Sequence, residues 1–230
     1  MAELPILFGG PMVKAILDGR KTQTRRVIKP QPPIVEHELF FPSIGIWLCK
    51  AEGHEEKMLK CPYGIPGDRL WVRETFTTFR KDTEAESAAK LAAAKKIASI
   101  DDLMRWAEMP SGGGEVKVMY AADFRDYAKD PDADFHWKPS IHMPRWASRI
   151  LLEIVSIRVE RVQDISAEDC LNEGIEYEGS PQKYGTPYTG LEIHDIRCLF
   201  RQLWDSINAA RGFGWDANPW VYRIEFRRAD

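Results

Sequence analysis

The sequence predicts an α+β fold, with helices flanking a mixed set of strands. Three patterns carry that prediction. A short helical stretch, Pro11 to Asp18, runs into a basic segment of period two. Two longer stretches, Ile150 to Val162 and Trp220 to Arg227, alternate as strands do. Ile193, Ile196, Phe200, Leu203, Trp204 and Ile207 recur at three and four, as on one face of a helix.

From the N-terminus, Leu4 to Phe8 reads as an opening strand. Pro11 suits the first turn of the following helix, and Gly19 suits the left-handed position past its end. Val13, Ile16 and Leu17 give that helix one apolar face. After Gly19, Thr22, Thr24 and Arg26 alternate with Gln23, Arg25 and Val27, which suits a strand ending before Pro32-Pro33. Residues 34–60 mix β-rich pieces with a charged run from Glu52 to Lys57 and read as a hairpin. Cys61 to Asp68 is dense in turn residues, and Leu70 to Phe76 reads as a strand. Arg73 and Glu74, polar within it, read as a paired salt bridge.

From Lys81 to Met109 the sequence turns Ala-rich and Lys/Glu-rich without glycine, which predicts helix. Ser111 to Gly114 follows as a flexible joint. Residues 81–114 thus read as a largely exposed helical insertion in a single domain spanning 1–230. Val116 to Tyr120 resumes as strand, and Asp130 to Asp134 is an acidic loop. Trp137 to Arg149 is irregular, with two prolines and with Trp137 and Trp146 among the cations. Aromatic rings beside arginine suit base stacking with phosphate contacts, or simply a well-filled loop. Ser166 to Asp169 has the form of a capping box, opening a short helix that stops at Gly174. Glu178 to Gly190 reads as a loop, and Gly212 to Pro219 as a turn-rich approach to the last strand.

Hydrophobic content of 44% and charged content of 29% are those of a soluble globular chain. The net charge of −3 excludes whole-chain attraction to nucleic acid, so such binding needs a local basic patch. Cys49, Cys61, Cys170 and Cys198 form no Cys-x-x-Cys, and Cys49, His54 and Cys61 match no standard zinc spacing. Walker, dinucleotide and Ser-His-Asp patterns are absent. Neither a metal nor a cofactor is expected. With no leader-like or long apolar run, the expectation is a cytoplasmic protein with reduced thiols and no membrane partner.

The chemistry concentrates in Gly19 to Arg26, which holds four cations and two hydroxyls. The plain reading is a solvated charged edge. The functional reading is a phosphate-binding strand, with Arg20, Arg25 and Arg26 as contacts and Arg145, Trp146 and Arg149 as a second group. Glu173 stands at the negative end of its short helix, where a carboxylate is disfavoured. It needs a nearby cation or another reason to be there.

Gly-Arg-Lys-Thr-Gln-Thr-Arg-Arg after a short helix resembles the signature of the ASCH domain, a family with a PUA-like β-barrel related to RNA-binding modules. Pro66 to Glu74, Ser140 to Arg149 and Trp215 to Trp220 are similar to blocks of a subgroup common in bacteriophage and prophage genomes. The resemblance implies a PUA-like mixed barrel whose cleft, rimmed by Lys21, Thr24, Arg25 and Arg26, takes RNA, single-stranded DNA or a modified nucleoside. It also implies an amidohydrolase alternative. Similar small bacterial enzymes remove the acetyl group of N4-acetylcytidine with a lysine and a threonine of Gly-Arg-Lys-Thr-x-Thr and a glutamate after the second helix. By motif these fall on Lys21, Thr24 and Glu173, all expected to be partly exposed. Ribonuclease activity, reported for some members, and a phage interaction or morphogenesis role without a nucleotide are the remaining alternatives.

Overall fold

Helix α1 (Gly10–Leu17) stops at a glycine, as its sequence asks. Gly19 takes φ +74°, and the N–H groups of Arg20 and Lys21 both return to the Ala15 carbonyl, at 2.9 and 3.0 Å. Val13, Ala15 and Ile16 are buried, and Leu17 is half-buried.

The computed structural model describes residues 1–32, 37–41, 46–50, 57–80, 105–108, 115–123, 136–177 and 189–229. They form an α+β fold. The chain packs as two compact units: residues 1–4, 15–69 and 152–230, and residues 5–14 and 70–151. Among the described residues the strands, β1 (Glu3–Leu7) and β6 (Arg69–Arg73) included, form sheets rather than a closed barrel. Among them, too, no helix is long and apolar enough to cross a membrane.

In the first unit, β2 (Gln23–Val27), β10 (Leu151–Arg161) and β11 (Trp220–Arg228) pair antiparallel in the order β10-β11-β2. Arg158 stands opposite Arg223, and Ile224 opposite Thr24. Strand alternation gives these three two faces. One buries Ile157, Val159, Tyr222, Ile224 and Phe226. The other carries Gln23, Arg25, Arg223, Glu225, Ser156, Arg158 and Glu160. A smaller antiparallel sheet, β3 (His37–Phe41), β4 (Ile46–Lys50) and β5 (Lys57–Lys60), stands where a hairpin was expected.

Two further helices belong to this unit. Helix α2 (Ala167–Asn172) begins at Ser166, whose hydroxyl accepts the Asp169 N–H at 3.0 Å. Helix α3 (Gly190–Asn208) opens on a capping box between Thr189 and Glu192. The predicted apolar stripe holds at its centre. Ile196, Phe200 and Trp204 are buried against Val162, Ile165, Cys170 and Val221, each large side chain stabilising by about 1.5–3 kcal/mol. Ile193, Leu199 and Ile207, at the margins, stay more than a third exposed.

The second unit holds β7 (Phe76–Arg80), β8 (Arg105–Glu108) and β9 (Glu115–Tyr120), in the order β7-β9-β8. Its core joins Phe76, Val118, Tyr120, Met143 and Ala147. Here the expectation of a helix through Met109 is corrected. Residues 105–108 form a strand paired to β9, with Arg105 opposite Val118, so ladder pairing overrides local helix propensity. Residues 81–104 and 109–114, and the acidic loop at 130–134, lie outside the described residues.

Candidate functional site

The polar face of β2 and β11 is covered by the C-terminal end of α2. Backbone contacts fix the approach: the Thr22 N–H donates to the Asn172 carbonyl at 2.9 Å, and the Phe226 N–H to the Thr22 carbonyl at 2.8 Å. Gly174 makes it close. It closes α2 at φ +91°, and a Cβ there would meet the Ala15 Cβ at 2.9 Å and the Lys21 Cβ at 3.2 Å.

At this junction Lys21 Nζ donates to the Glu173 carbonyl at 2.7 Å and to Glu173 Oε2 at 2.8 Å. Their side chains are 0% and 6% exposed. The cation that Glu173 needs is therefore Lys21, and it caps an orphan helix carbonyl as well. Glu173 Oε1 accepts from Arg25 Nη1 at 3.1 Å. The same guanidinium donates through Nε to Glu160 Oε1 at 2.7 Å and through Nη2 to Asp169 Oδ2 at 3.1 Å. Behind it Arg223 meets Asp169 Oδ1 at 3.0 Å, Glu225, and Gln23 Oε1 at 2.9 Å.

Three cations, Lys21, Arg25 and Arg223, thus face four carboxylates, Glu160, Asp169, Glu173 and Glu225. This cluster has no positive excess to offer a phosphate. Burial pushes the Lys21 ammonium below its ordinary value of 10.5; Glu173 opposes that shift, and Arg26 and Arg25 add to it. Burial holds the Glu160 carboxyl above its ordinary 4.5 despite Arg25. A buried amine with a weakened hold on its proton, in contact with a carboxylate, is suited to moving protons.

The structure therefore brings Lys21 and Glu173 together and adds Arg25 to them. Thr24 lies on the opposite face of β2 from Gln23 and Arg25, opposite buried Ile224. The expected partial exposure is corrected: Lys21, Thr24 and Glu173 are 2%, 4% and 5% exposed, because the end of α2 lies over the strand face. Arg25, expected as a phosphate contact, is 5% exposed and held by three carboxylates. Arg20 binds Asp18 at 3.1 Å and Glu176 at 3.0 Å. Arg26 is half-buried, its guanidinium 5.9 Å from the Tyr63 ring centre.

The other expected contacts belong to the second unit. Arg149 is likewise held by carboxylates. It clamps Glu74 with Nε and Nη2 at 2.9 and 3.1 Å, reaches Asp123 with Nη1 at 2.6 Å, and lies 3.9 Å over the Tyr120 ring. Glu74 pairs with Arg149, then, and not with Arg73. Arg73 instead donates to the Ile141 carbonyl and lies over Trp71. Trp146 is half-buried against the core, while Arg145 is exposed.

Sequence reasoning missed Glu160, Asp169, Gln23 and Arg223. They stand on β2, β10, α2 and β11, far apart in sequence, and no local pattern brings them together. Among the described residues no group of three or more His, Cys, Asp or Glu is placed to hold a metal, and His54 lies outside them. In comparisons with protein-family models, characterised proteins and solved structures, nothing matches the chain.

Proposed function

We propose that this chain is an amidohydrolase of ASCH type on a PUA-like scaffold, acting on an acyl group carried by the exocyclic nitrogen of a cytosine nucleoside. The observation that carries the reading is the 2.8 Å contact of Lys21 Nζ with Glu173 Oε2. Two residues 152 positions apart, paired by the resemblance alone, meet in a buried site. The neutral Lys21 amine takes a proton from the nucleophile, a water, because Thr24 faces the other side of β2. The resulting hydroxide adds to the acyl carbon, and the C–N bond breaks as the proton held by Lys21 passes through the Glu173 carboxylate to the leaving nitrogen. With water as nucleophile the products are acetate and cytidine.

The excess of carboxylates over cations in the cluster supports a free nucleoside over a polyphosphate or an RNA backbone. The same carboxylates oppose the phosphorane of a ribonuclease reaction. Because the Lys21 side chain is fully covered, turnover requires local opening at the end of α2. The cytoplasm, where modified nucleosides arise from RNA turnover, fits such a substrate. The test is acetate release from N4-acetylcytidine by wild-type protein beside Lys21→Ala, Thr24→Ala and Glu173→Gln, with folding followed by circular dichroism. Failure of the folded wild type to release acetate overturns the reading.

A further inference from the structure

We propose that Glu160, Arg25, Glu173 and Lys21 act as one chain of alternating charge, in which Arg25 positions Glu173 against Lys21 and transmits the charge state of Glu160 to the lysine. In its catalytic consequence the inference rests on the amide-hydrolysis reading; its electrostatic content does not.

The geometry is that of a relay with one fork. Glu173 gives a separate oxygen to each cation, Oε1 to Arg25 and Oε2 to Lys21. A carboxylate held this way cannot turn away from the lysine. Arg25 is fixed in turn, because its planar guanidinium spends Nε on Glu160, Nη2 on Asp169 and Nη1 on Glu173. The Glu160 side chain is 19% exposed, against 1% for Arg25, 6% for Glu173 and 0% for Lys21. Glu160 is thus the end that water reaches. The charged groups bearing on Lys21 are Glu173 from α2 and Arg25 and Arg26 from β2. Those bearing on Arg25 are Glu160 from β10 and Asp169 and Glu173 from α2, with Arg223 of β11 behind Asp169. In so dry a cluster a change of charge two links away is still felt.

The chain predicts shifts of opposite sign. Removing the Arg25 charge takes away a cation that repels Lys21 and leaves Glu173 to attract it undivided, so Lys21 keeps its proton to higher pH. Neutralising Glu160 leaves the Arg25 charge less compensated, so Lys21 gives up its proton at lower pH. A merely structural role for Arg25 and Glu160 lowers stability in both variants and produces no such pair of shifts.

The experiment is an NMR titration of the Lys21 side chain, with isotope-labelled lysine, in the full chain and in Arg25→Gln and Glu160→Gln. The expected result is an upward shift in the first and a downward shift in the second. Should Arg25→Gln fail to fold, the downward shift in Glu160→Gln decides by itself. Arg25→Lys keeps the charge and loses the fork. It is expected to titrate close to wild type while acetate release falls about tenfold or more. No shift in Glu160→Gln, or shifts of the same sign in both variants, overturns the chain. The stated shifts in a wild type that releases no acetate uphold the chain and sink the hydrolase reading alone. Turnover without the shifts does the reverse.

Discussion

Lys21 Nζ donates to both the carbonyl and the carboxylate of Glu173, at 2.7 and 2.8 Å. One ammonium closes the end of α2 and neutralises a carboxylate standing where the helix field opposes it. Breaking such a pair from one side strands a buried charge. Lys21→Met should therefore cost about 3–5 kcal/mol in urea unfolding at neutral pH, and Lys21→Met with Glu173→Gln should recover part of that. A single-variant loss within the error of the measurement would remove the pair from the account of stability.

The same lysine gives a stability-versus-pH signature. Its folded-state proton affinity is lowered from 10.5, chiefly by burial. Between the folded value and 10.5 the unfolded chain holds more protons than the native one, so unfolding free energy rises with pH across that window. The comparison is the slope for wild type against Lys21→Met: wild type should show the rise, and the variant should lack it.

Much of this junction was legible in the sequence. Gly19 and Gly174 marked two helix ends, and the awkward place of Glu173 asked for a cation that Lys21 supplies. What was not legible was the direction in which the arginines face. Arg25 reads as a basic edge residue because its three partners come from β10 and α2, more than a hundred residues away, and no local rule brings them to β2. The strand at 105–108 was hidden for the same reason, since its partner β9 decides it. Arg149 looked free only because Glu74 and Asp123 are 75 and 26 positions distant.

Gly174 offers a test of how tightly the two helix ends meet. Gly174→Ala places a methyl at a left-handed φ and within 2.9 Å of the Ala15 Cβ. The expected cost is about 1–3 kcal/mol from the backbone conformation alone, with the contact adding to it. A thermal midpoint unchanged from wild type would mean that the ends are looser than described.

Salt dependence separates the nucleoside reading from a nucleic-acid one. With the Lys21–Arg25–Arg223 cluster already neutralised, binding of N4-acetylcytidine should be nearly independent of salt. A single-stranded RNA held by about three phosphates would instead give a slope near −2 in log affinity against log salt. Such a slope, reduced in Arg20→Ala and Arg26→Ala, would favour the binding-module reading.

Thiol chemistry checks the packing of α2 and α3. Cys61 and Cys170 are buried, and burial pushes both thiols up to about 12, whereas Cys198 is half-exposed with its sulfur 3.7 Å from His194 Nε2. Iodoacetamide at neutral pH should label Cys198 well before Cys61 or Cys170, as read by peptide mass spectrometry. Equal labelling of Cys170 would contradict the packing around α2.

The central claim is that Lys21 and Glu173 are the proton-handling pair of an amide hydrolase, and acetate release from N4-acetylcytidine as a function of pH tests it most directly. The account predicts turnover by wild type whose kcat/KM rises with pH along a limb below 10.5, as Lys21 loses its proton. Folded Lys21→Ala and Glu173→Gln should each lose a similar large factor, about a hundredfold or more, because they act as one unit. A folded wild type that releases no acetate, or a Lys21→Ala variant as active as wild type, would contradict it.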